Sequence, residues 1–432
     1  MSQVRVSPKD RDAVLQALRA GVVPRRGLHH IQVARENELR AFLSDVERIV
    51  DGGSAFRVLC AAYGGGKTFL LTLVRAIAAE KGLITMHADL TPERRIYGAS
   101  GQARALYQEL TRNLATRARP EGGALPSVIE RFIATAAAEH KQNGTPVPQV
   151  IESRLHSLQE LVNGFDFASV IAAYWRGHED HNEQMKADAI RWLRGEFATL
   201  TDARKALGVR AIVDDEMIYD QLKLMARFSV LAGYNGLLVG LDEMVNLFKL
   251  AHGPSRNQNF EQILRILNDS LSGSAENLGF VLGCTPESLT DPRRGLYSYQ
   301  ALQTRLAENA FALKAGVTDY SGPVLRLSTL TPEDVYVLLV KLRDLYGGAA
   351  AAAMSNDAIR AYMAWCNGRI GASSFQTPRT TIRTFLDLLA VLEVTPEVPL
   401  GSLLDGLEIA PDADASEPAA LAEDDDLASF TL

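Results

Sequence analysis

Short apolar runs occur at four places along the chain and predict the strands of one sheet. They cover residues 56–61, 83–89, 236–241 and 278–284. The last two lack any alternation of polar and apolar residues, which is typical of strands covered on both faces. The first run leads through a triple glycine into the periodic segment 69–80, and the second run follows after one short turn. Strand, helix and strand in this order predict a right-handed parallel unit.

Apolar residues at helical spacing fill most of the remaining chain. The segments are 7–49 with a break at 24–27, about 100–229 with breaks at 120–123 and 144–148, 333–346, 357–367 and 380–392. Neighbouring parallel strands need a far shorter connection than 100–229, so this segment is predicted to be a helical insertion. The alanine run at 349–353 is expected in a loop or at a frayed helix end.

These elements predict an α/β fold with a parallel sheet, a large helical insertion and a C-terminal helical lid. The expected domains are an N-terminal helical segment at 1–50, a core at 51–325 that contains the insertion, a lid at 326–408 and an acidic tail at 409–432. The last 22 residues lack a periodic apolar face and are expected to be disordered.

Composition excludes several classes of protein. Hydrophobic residues are 47% and charged residues 22% of the chain, as in globular proteins, so a collagen, a disulfide scaffold and a wholly disordered chain are excluded. No apolar run is long enough for a membrane helix and the start lacks an apolar signal core, so we expect a cytoplasmic protein without a membrane partner. The isolated Cys60, Cys284 and Cys366 show no paired metal-ligand spacing and are expected to be buried thiols.

The negative charge of the chain is concentrated at its end. The formal net charge is −7, and residues 411–432 contain seven acids and no base. Removing those acids leaves 45 acidic against 45 basic side chains, so the body is formally neutral. Any contact with nucleic acid must therefore depend on a local site.

The glycine-rich segment between the first strand and the first core helix predicts a phosphate-binding loop. Such a loop needs inward-pointing backbone N–H groups, a lysine that reaches the β and γ oxygens, and a hydroxyl that ligates magnesium. The candidate nucleotide-binding residues are Tyr63, Gly64, Gly65, Gly66, Lys67, Thr68 and Phe69. Ala61 stands where the first glycine of such loops usually lies. The alternative is a chance glycine-rich turn with a surface lysine.

Two adjacent acids end the strand run 236–241. At the carboxyl end of a buried parallel strand, Asp242 is predicted to hold Mg²⁺ beside Thr68, and Glu243 to orient or deprotonate the attacking water. The alternative is a strand followed by a helix cap with an acid in its first turn. Because the lysine loop is also present, the sequence predicts an ATP site that contains magnesium.

Further polar candidates follow the strand run 278–284 and begin the last predicted helix. Thr285 is predicted to contact the γ-phosphate or the attacking water, or else to cap the turn made by Pro286. An arginine after that strand can reach toward the nucleotide of a neighbouring subunit, whereas one in the lid can clamp the nucleotide of its own subunit. The arginine candidates are Arg293, Arg294, Arg305 and Arg379. Surface salt bridges are the alternative for each of them.

Order and spacing of these motifs resemble the AAA+ superfamily, nearest to its origin-recognition and helicase-loader type. More narrowly, the motifs are similar to those of the ATP-binding proteins of BREX phage-defence systems, the BrxD-like proteins. The similar segments are Tyr63-Gly64-Gly65-Gly66-Lys67-Thr68, Leu241-Asp242-Glu243, residues 291–297 and Thr377-Pro378-Arg379. The resemblance implies an AAA+ P-loop NTPase fold and a DNA-associated ATPase that acts beside a large superfamily-two helicase.

The resemblance also implies roles for the candidates. Lys67, Thr68, Asp242 and Glu243 become the nucleotide and hydrolysis residues, Thr285 the first sensor and Arg379 the second sensor, and Arg293, Arg294 or Arg305 the finger that acts on a neighbouring subunit. In ring ATPases the segment after the second strand faces the central pore. Here that segment carries Arg94, Arg95 and Tyr97, which are candidates for gripping DNA phosphates and stacking on a base or sugar. An ordinary exposed loop is the alternative, and no C-terminal winged helix is expected after Leu392.

We therefore expect a Mg-ATP hydrolase that assembles as a ring or open homo-oligomer and acts on duplex DNA or loads a partner helicase. The main alternative is an ATP-dependent assembly switch or scaffold with slow hydrolysis. A third possibility, an adaptor with degenerate ATP binding, fits poorly with an intact Lys67-Thr68 and Asp242-Glu243.

Overall fold

A computed structural model describes residues 6–369 and 378–405 of the chain. Within them the chain divides into two compact units. The first is drawn from residues 6–36, 61–73, 326–369 and 378–405, and the second from Asn37–Cys60 and Val74–Leu325. The predicted tail at 409–432 lies outside the described residues, as does Thr377.

A five-stranded parallel sheet is the centre of the second unit. Its strands are β1 (Ser54–Cys60), β2 (Ile84–Asp89), β3 (Leu237–Asp242), β4 (Leu278–Cys284) and β5 (Val324–Arg326). Their order across the sheet is β2-β3-β4-β1-β5, so two strands lie between β1 and β2. The predicted parallel α/β fold is confirmed, whereas the three-residue β5 has no counterpart among the predicted strands.

Helices account for most of the remaining residues. They are α1 (Pro8–Arg19), α2 (Leu28–Ile31), α3 (Glu36–Val50), α4 (Lys67–Glu80), α5 (Gln102–Arg112), α6 (Leu125–Asn143), α7 (Val147–Leu155), α8 (Gly164–Glu179), α9 (Glu183–Leu193), α10 (Leu200–Leu207), α11 (Ile218–Leu231), α12 (Val245–Phe248), α13 (Gly253–Ser272), α14 (Pro286–Thr290), α15 (Gln300–Arg305), α16 (Ala310–Ala315), α17 (Pro332–Tyr346), α18 (Gly348–Ala353), α19 (Asn356–Arg369), α20 (Pro378–Val394) and α21 (Leu400–Leu404). Short 3₁₀ turns cover His156–Glu160 and Leu296–Ser298. None of these helices is both long and apolar enough to cross a membrane.

Strands β1, β3 and β4 are buried along their whole length, which explains their lack of polar alternation. Gly279 in β4 lets α3 approach the sheet, because a Cβ atom at this position would lie 2.3 Å from Ile49 Cδ1. Cys60 and Cys284 occupy paired positions at the ends of β1 and β4. All three cysteines are buried, and none forms a disulfide.

The helical insertion α5–α11 shares one apolar core with the strands of its unit. Phe132, Phe167 and Phe228 meet inside it, with ring centroids 5.2 Å apart for the first and third and 5.5 Å apart for the second and third. On α11, Tyr219 packs against Phe280 of β4 with 6.1 Å between ring centroids. Helices α5 to α11 are therefore anchored on the sheet by ordinary apolar burial.

A buried ion pair holds the middle of β1. Arg57 donates from Nε to Asp45 Oδ2 at 2.6 Å and from Nη2 to Asp45 Oδ1 at 2.9 Å. Its Nη1 also donates to the carbonyl oxygens of Tyr320, at 2.9 Å, and Gly322. The guanidinium is therefore well supplied with acceptors, as a buried charge requires. It joins α3, β1 and the segment that precedes β5.

The N-terminal and C-terminal helices of the first unit share a separate apolar core. Val14, Leu339 and Phe385 are among its fully buried members, and Phe69 packs against it from the first turn of α4. The prediction for the alanine run was wrong, because residues 348–353 form α18. Alanine has the highest helix propensity, and the N–H of Ala350 donates to Glu393 Oε2 on α20 at 2.8 Å.

Candidate nucleotide-binding site

Three consecutive glycines shape the loop between β1 and α4, because a side chain at each position would be sterically unfavourable. Gly64 has φ +71° and Gly66 has φ +89°, a backbone region that residues with a Cβ rarely adopt. A Cβ at Gly65 would lie 3.0 Å from the Ala62 carbonyl oxygen and 3.3 Å from Ala61 Cβ. Side chains are therefore excluded from the part of the loop that has to bring its amides close to phosphate.

Alanine fits at the start of this loop. Ala61 is buried and its φ is not positive, so no glycine is needed for its backbone conformation. The Gly65 N–H donates to the Ala62 carbonyl at 3.0 Å and closes the turn. The replacement of the usual first glycine by Ala61 is therefore compatible with the loop geometry.

Lys67 and Thr68 are the first two residues of α4. Lys67 is buried, with 7% of its surface exposed, and its Nζ lies 5.8 Å from the centroid of the Tyr63 ring. Thr68 is exposed. The positive end of α4 coincides with the loop amides, and such a helix N-terminus favours an anion. The segment has the donors and the cation that a phosphate group requires.

In the second unit, β3 brings the two predicted acids to the carboxyl edge of the sheet. Asp242 is its last residue and has 7% of its surface exposed. The neighbouring positions of this edge are occupied by the end of β4 and by Cys60, the residue directly before the loop segment. Ligands of open parallel sheets bind at this edge.

Glu243 has a strained backbone. Its φ is +61°, and its N–H donates to Asp242 Oδ1 at 2.8 Å. A left-handed conformation costs a residue with a Cβ about 1–2 kcal/mol. Such strain persists where the surroundings impose it, and it is found preferentially at functional sites. A strained acid directly after Asp242 fits the distinct role predicted for Glu243.

Asp89 is a third acid at this edge that the sequence analysis missed. It ends β2 and is the register partner of Asp242. Although Asp89 as a residue is exposed, desolvation of its carboxyl group and then the charge of Asp242 raise its pKa, while Arg94 and Arg75 act in the opposite direction. Its position at the end of a strand run, like that of Asp242, is the signal that would have identified it.

The profile of one protein family covers almost the whole chain. That family is described as BREX system ATP-binding protein BrxC/D, and its profile matches residues 6–407. The chain belongs to this family. No curated protein matches it. Membership supports ATP as the ligand and phage defence as the setting, in agreement with the glycine loop and its lysine.

In this BREX ATP-binding protein, Thr285 caps a short helix. It is buried, and its Oγ1 accepts from the Ser288 N–H at 3.3 Å and donates to Ser288 Oγ at 3.2 Å. The cap considered as the alternative is therefore present. Since a hydroxyl has a single proton, Thr285 would have to release Ser288 Oγ before it could donate to a phosphate or a water. The first-sensor role stays a prediction.

The three arginines after β4 differ in their surroundings. Arg294 donates from Nη2 to the Leu250 carbonyl at 2.9 Å, and its guanidinium lies 6.0 Å from the centroid of the Phe248 ring. Arg293 is exposed, and so is Arg305, whose Nη1 donates to the Ala301 carbonyl one turn earlier on α15. Arg294 therefore braces the segment after α12, whereas the other two are presented to solvent.

Arg379 lies in the first turn of α20 and is exposed. Its aliphatic carbons pass close to Gly21, where an added Cβ would lie 3.6 Å from Arg379 Cδ. Both residues belong to the first unit. The second-sensor role stays a prediction.

The segment after β2 is an ordered turn. The N–H groups of Thr91 and Arg94 each donate to the other's carbonyl, at 3.0 and 3.1 Å, and the buried Asn259 bonds both the N–H and the carbonyl of Tyr97. Arg94 Nη1 lies 3.6 Å from Glu109 Oε1, whereas Arg95 donates from Nε to the Pro92 carbonyl at 2.6 Å. Of the two arginines among the three predicted DNA contacts, Arg94 is thus partly neutralised within its own unit.

No group of three or more His, Cys, Asp or Glu side chains in residues 6–369 and 378–405 is arranged to hold a metal ion. Thr68 and Asp242 stay predicted ligands of Mg²⁺, the first through a hydroxyl and the second through a carboxylate. This donor set suits Mg²⁺, which keeps several waters and takes its other ligands from phosphate oxygens.

Proposed function

We propose that this BREX ATP-binding protein is an AAA+ Mg-ATP hydrolase that acts on duplex DNA with or for a partner helicase. The observation that carries the proposal is Glu243, held at φ +61° directly after the buried Asp242 at the carboxyl edge of the sheet. Strain of this kind is found preferentially at functional sites, which favours a catalytic role for Glu243 over ATP binding alone.

The proposed hydrolysis divides the work among four side chains. Lys67 and the loop amides stabilise negative charge on the β and γ phosphates, and Thr68 and Asp242 supply the protein ligands of Mg²⁺. When bound, Mg²⁺ neutralises the charge that develops on the transferred phosphoryl group. Glu243 accepts a proton from the attacking water or orients it.

Assembly supplies the remaining charge in this proposal. Arg293 and Arg305 are exposed and follow β4, so they are suited to reach a neighbouring subunit of a homo-oligomer. An arginine acting in this way stabilises charge on the neighbour's γ-phosphate and typically raises turnover about 10³-fold or more. Arg379 is proposed to contact the nucleotide from the lid of the same chain.

The DNA contact is proposed to be small and to depend on assembly. The body of the chain is formally neutral, so no broad positive surface favours nucleic acid. Arg95 and Tyr97 lie on an ordered turn, which supports a defined phosphate and stacking contact. Several subunits would have to contribute their turns for useful affinity.

The test compares wild type with Lys67→Ala and Glu243→Gln for ATP affinity and for turnover, with and without duplex DNA. Lys67→Ala should abolish ATP binding, while Glu243→Gln should keep binding and lose turnover. Lys81→Ala is the matched control. Lys81 is an exposed lysine that directly follows α4, the helix that begins with Lys67, and it pairs with Glu47. Wild-type turnover in Glu243→Gln would refute the hydrolysis assignment. Near-stoichiometric hydrolysis that DNA does not stimulate would favour the assembly switch.

A further inference from the structure

Arg35 reaches the phosphate loop from the N-terminal segment of the same unit. Its Nη2 donates to the Ser328 carbonyl at 2.6 Å and to the Gly65 carbonyl at 3.4 Å. Its Nη1 lies 3.5 Å from Ser328 Oγ. The guanidinium therefore joins the loop to the segment between β5 and α17.

The backbone around Arg35 is bent at an energetic cost. Ala34 has φ +52° and Arg35 has φ +69°, so two consecutive residues with a Cβ adopt the left-handed conformation immediately before α3. Each costs about 1–2 kcal/mol relative to a right-handed conformation. The surrounding structure imposes this bend, and the bend accompanies the contact between the Arg35 side chain and the loop.

The contact with Gly65 acts on the amide of the next residue. The Gly65 carbonyl and the Gly66 N–H belong to one planar trans peptide and point in opposite directions. A donor that holds the carbonyl therefore fixes the direction of the N–H. Gly66 has no side chain and φ +89°, so its peptide planes would otherwise reorient easily.

We propose that Arg35 is a positioning residue of the nucleotide site. It holds the Gly65 carbonyl on the outer side of the loop, so that the Gly66 N–H faces the phosphates, and it ties the loop to Ser328. This inference rests on the proposed phosphate-binding role of the loop. Arg35 acts through the peptide and need not touch the nucleotide.

The test measures binding of ATP, ADP and adenosine by titration calorimetry to wild type, Arg35→Met and Arg35→Lys. Methionine keeps much of the chain length without donors, and lysine retains one cationic group that can serve one carbonyl. We expect ATP and ADP to bind about tenfold more weakly to Arg35→Met, as for one lost charged hydrogen bond, with a smaller loss in Arg35→Lys. Adenosine affinity should stay unchanged, because adenosine has no phosphate.

Arg40→Met is the matched control, because Arg40 is exposed on α3 and bonds Asn37 within its own helix. Its nucleotide affinities should equal those of wild type. Thermal unfolding of every variant shows whether it folds. If Arg35→Met does not fold, the affinities of Arg35→Lys decide whether Arg35 positions the loop.

Three outcomes separate this inference from the proposed function. Unchanged ADP affinity in the folded Arg35 variants, with loss in Lys67→Ala, overturns the role of Arg35 and leaves the phosphate loop standing. Wild-type ADP affinity in Lys67→Ala overturns the phosphate loop itself. An equal loss for adenosine and ADP shows general damage to the unit and also overturns the positioning role.

Discussion

Asp89 and Asp242 are register partners at the ends of β2 and β3, so two carboxylates share one edge of the sheet. Their proximity makes the charged form of Asp89 less favourable, in addition to the desolvation of its carboxyl group. Arg94 and Arg75 offset this cost only in part, because the pKa of Asp89 remains raised. The charge of Asp89 therefore links Arg94, which lies on the turn proposed to contact DNA, to Asp242, the proposed magnesium ligand.

The raised pKa of Asp89 predicts a pH-dependent gain from Asp89→Asn. Because the folded protein holds this proton more tightly than the unfolded chain, Asp89 costs stability as pH rises from its ordinary value of 3.8 through its raised pKa. The variant should therefore melt above wild type at pH 8, and the gap should narrow as pH falls. Differential scanning calorimetry between pH 3 and 8 measures this gap, with the exposed Asp51→Asn as control. A gap that widens on acidification would contradict the prediction.

The strain at Glu243 predicts that two inactive variants differ in stability. Glu243→Ala keeps a Cβ at φ +61°, whereas Glu243→Gly removes it. The Glu243→Gly variant should therefore be more stable to unfolding than Glu243→Ala by about 1 kcal/mol. Urea denaturation measures the difference, and both variants should lack ATP turnover. Equal stability of the pair would mean that the backbone is not strained.

The different surroundings of the three arginines predict different effects. Arg294→Ala should lower the melting temperature, because it loses the bond to the Leu250 carbonyl. Arg293→Ala and Arg305→Ala should keep stability within about 0.5 kcal/mol, as exposed substitutions usually do, and at least one should lose turnover without losing ATP affinity.

Mixing that variant with Glu243→Gln tests action between subunits. Some turnover should return if the two lesions lie on opposite sides of a shared interface. Absence of rescue in any mixture, together with a monomeric mass in ATP, would favour the assembly switch.

The ion pair of Arg94 predicts unequal effects within the DNA turn. Arg95→Ala should weaken binding to a labelled duplex more than Arg94→Ala does, because Glu109 already offsets part of the Arg94 charge. Removing residues 411–432, with their seven acids, should strengthen binding modestly. Fluorescence anisotropy of the labelled duplex, with ATP and at two salt concentrations, measures the DNA affinity of the two arginine variants and of the tail deletion. Wild-type affinity in both arginine variants would place the DNA site elsewhere.

The buried pair of Asp45 and Arg57 predicts a large loss of stability on removal of one partner. Arg57→Met leaves Asp45 without its cation and should cost about 3–5 kcal/mol. The double variant with Asp45→Leu should recover part of that loss, because the second charge is then absent as well. Urea denaturation measures both, and no recovery in the double variant would show that the bonds to Tyr320 and Gly322 carry most of the effect.

The sequence by itself determined the elements that depend on local chemistry. A triple glycine between an apolar run and a periodic segment specified the phosphate loop, since glycine adopts the positive φ of Gly64 and Gly66 without steric cost. An apolar run ending in Asp242-Glu243 specified a buried strand with acids at its edge. The alanine run was misjudged because the bond from Ala350 to Glu393, which supports α18, joins residues 43 positions apart.

Only the tertiary structure decided which distant residues act on these elements. The order of the strands makes Asp89 the neighbour of Asp242, and long-range contacts bring Glu109 to Arg94 and Arg35 to Gly65. These relationships depend on sheet register and on hydrogen bonds that bridge long stretches of chain. Residue spacing carries no such information, because register and long-range pairing are fixed only when the apolar cores of the units assemble.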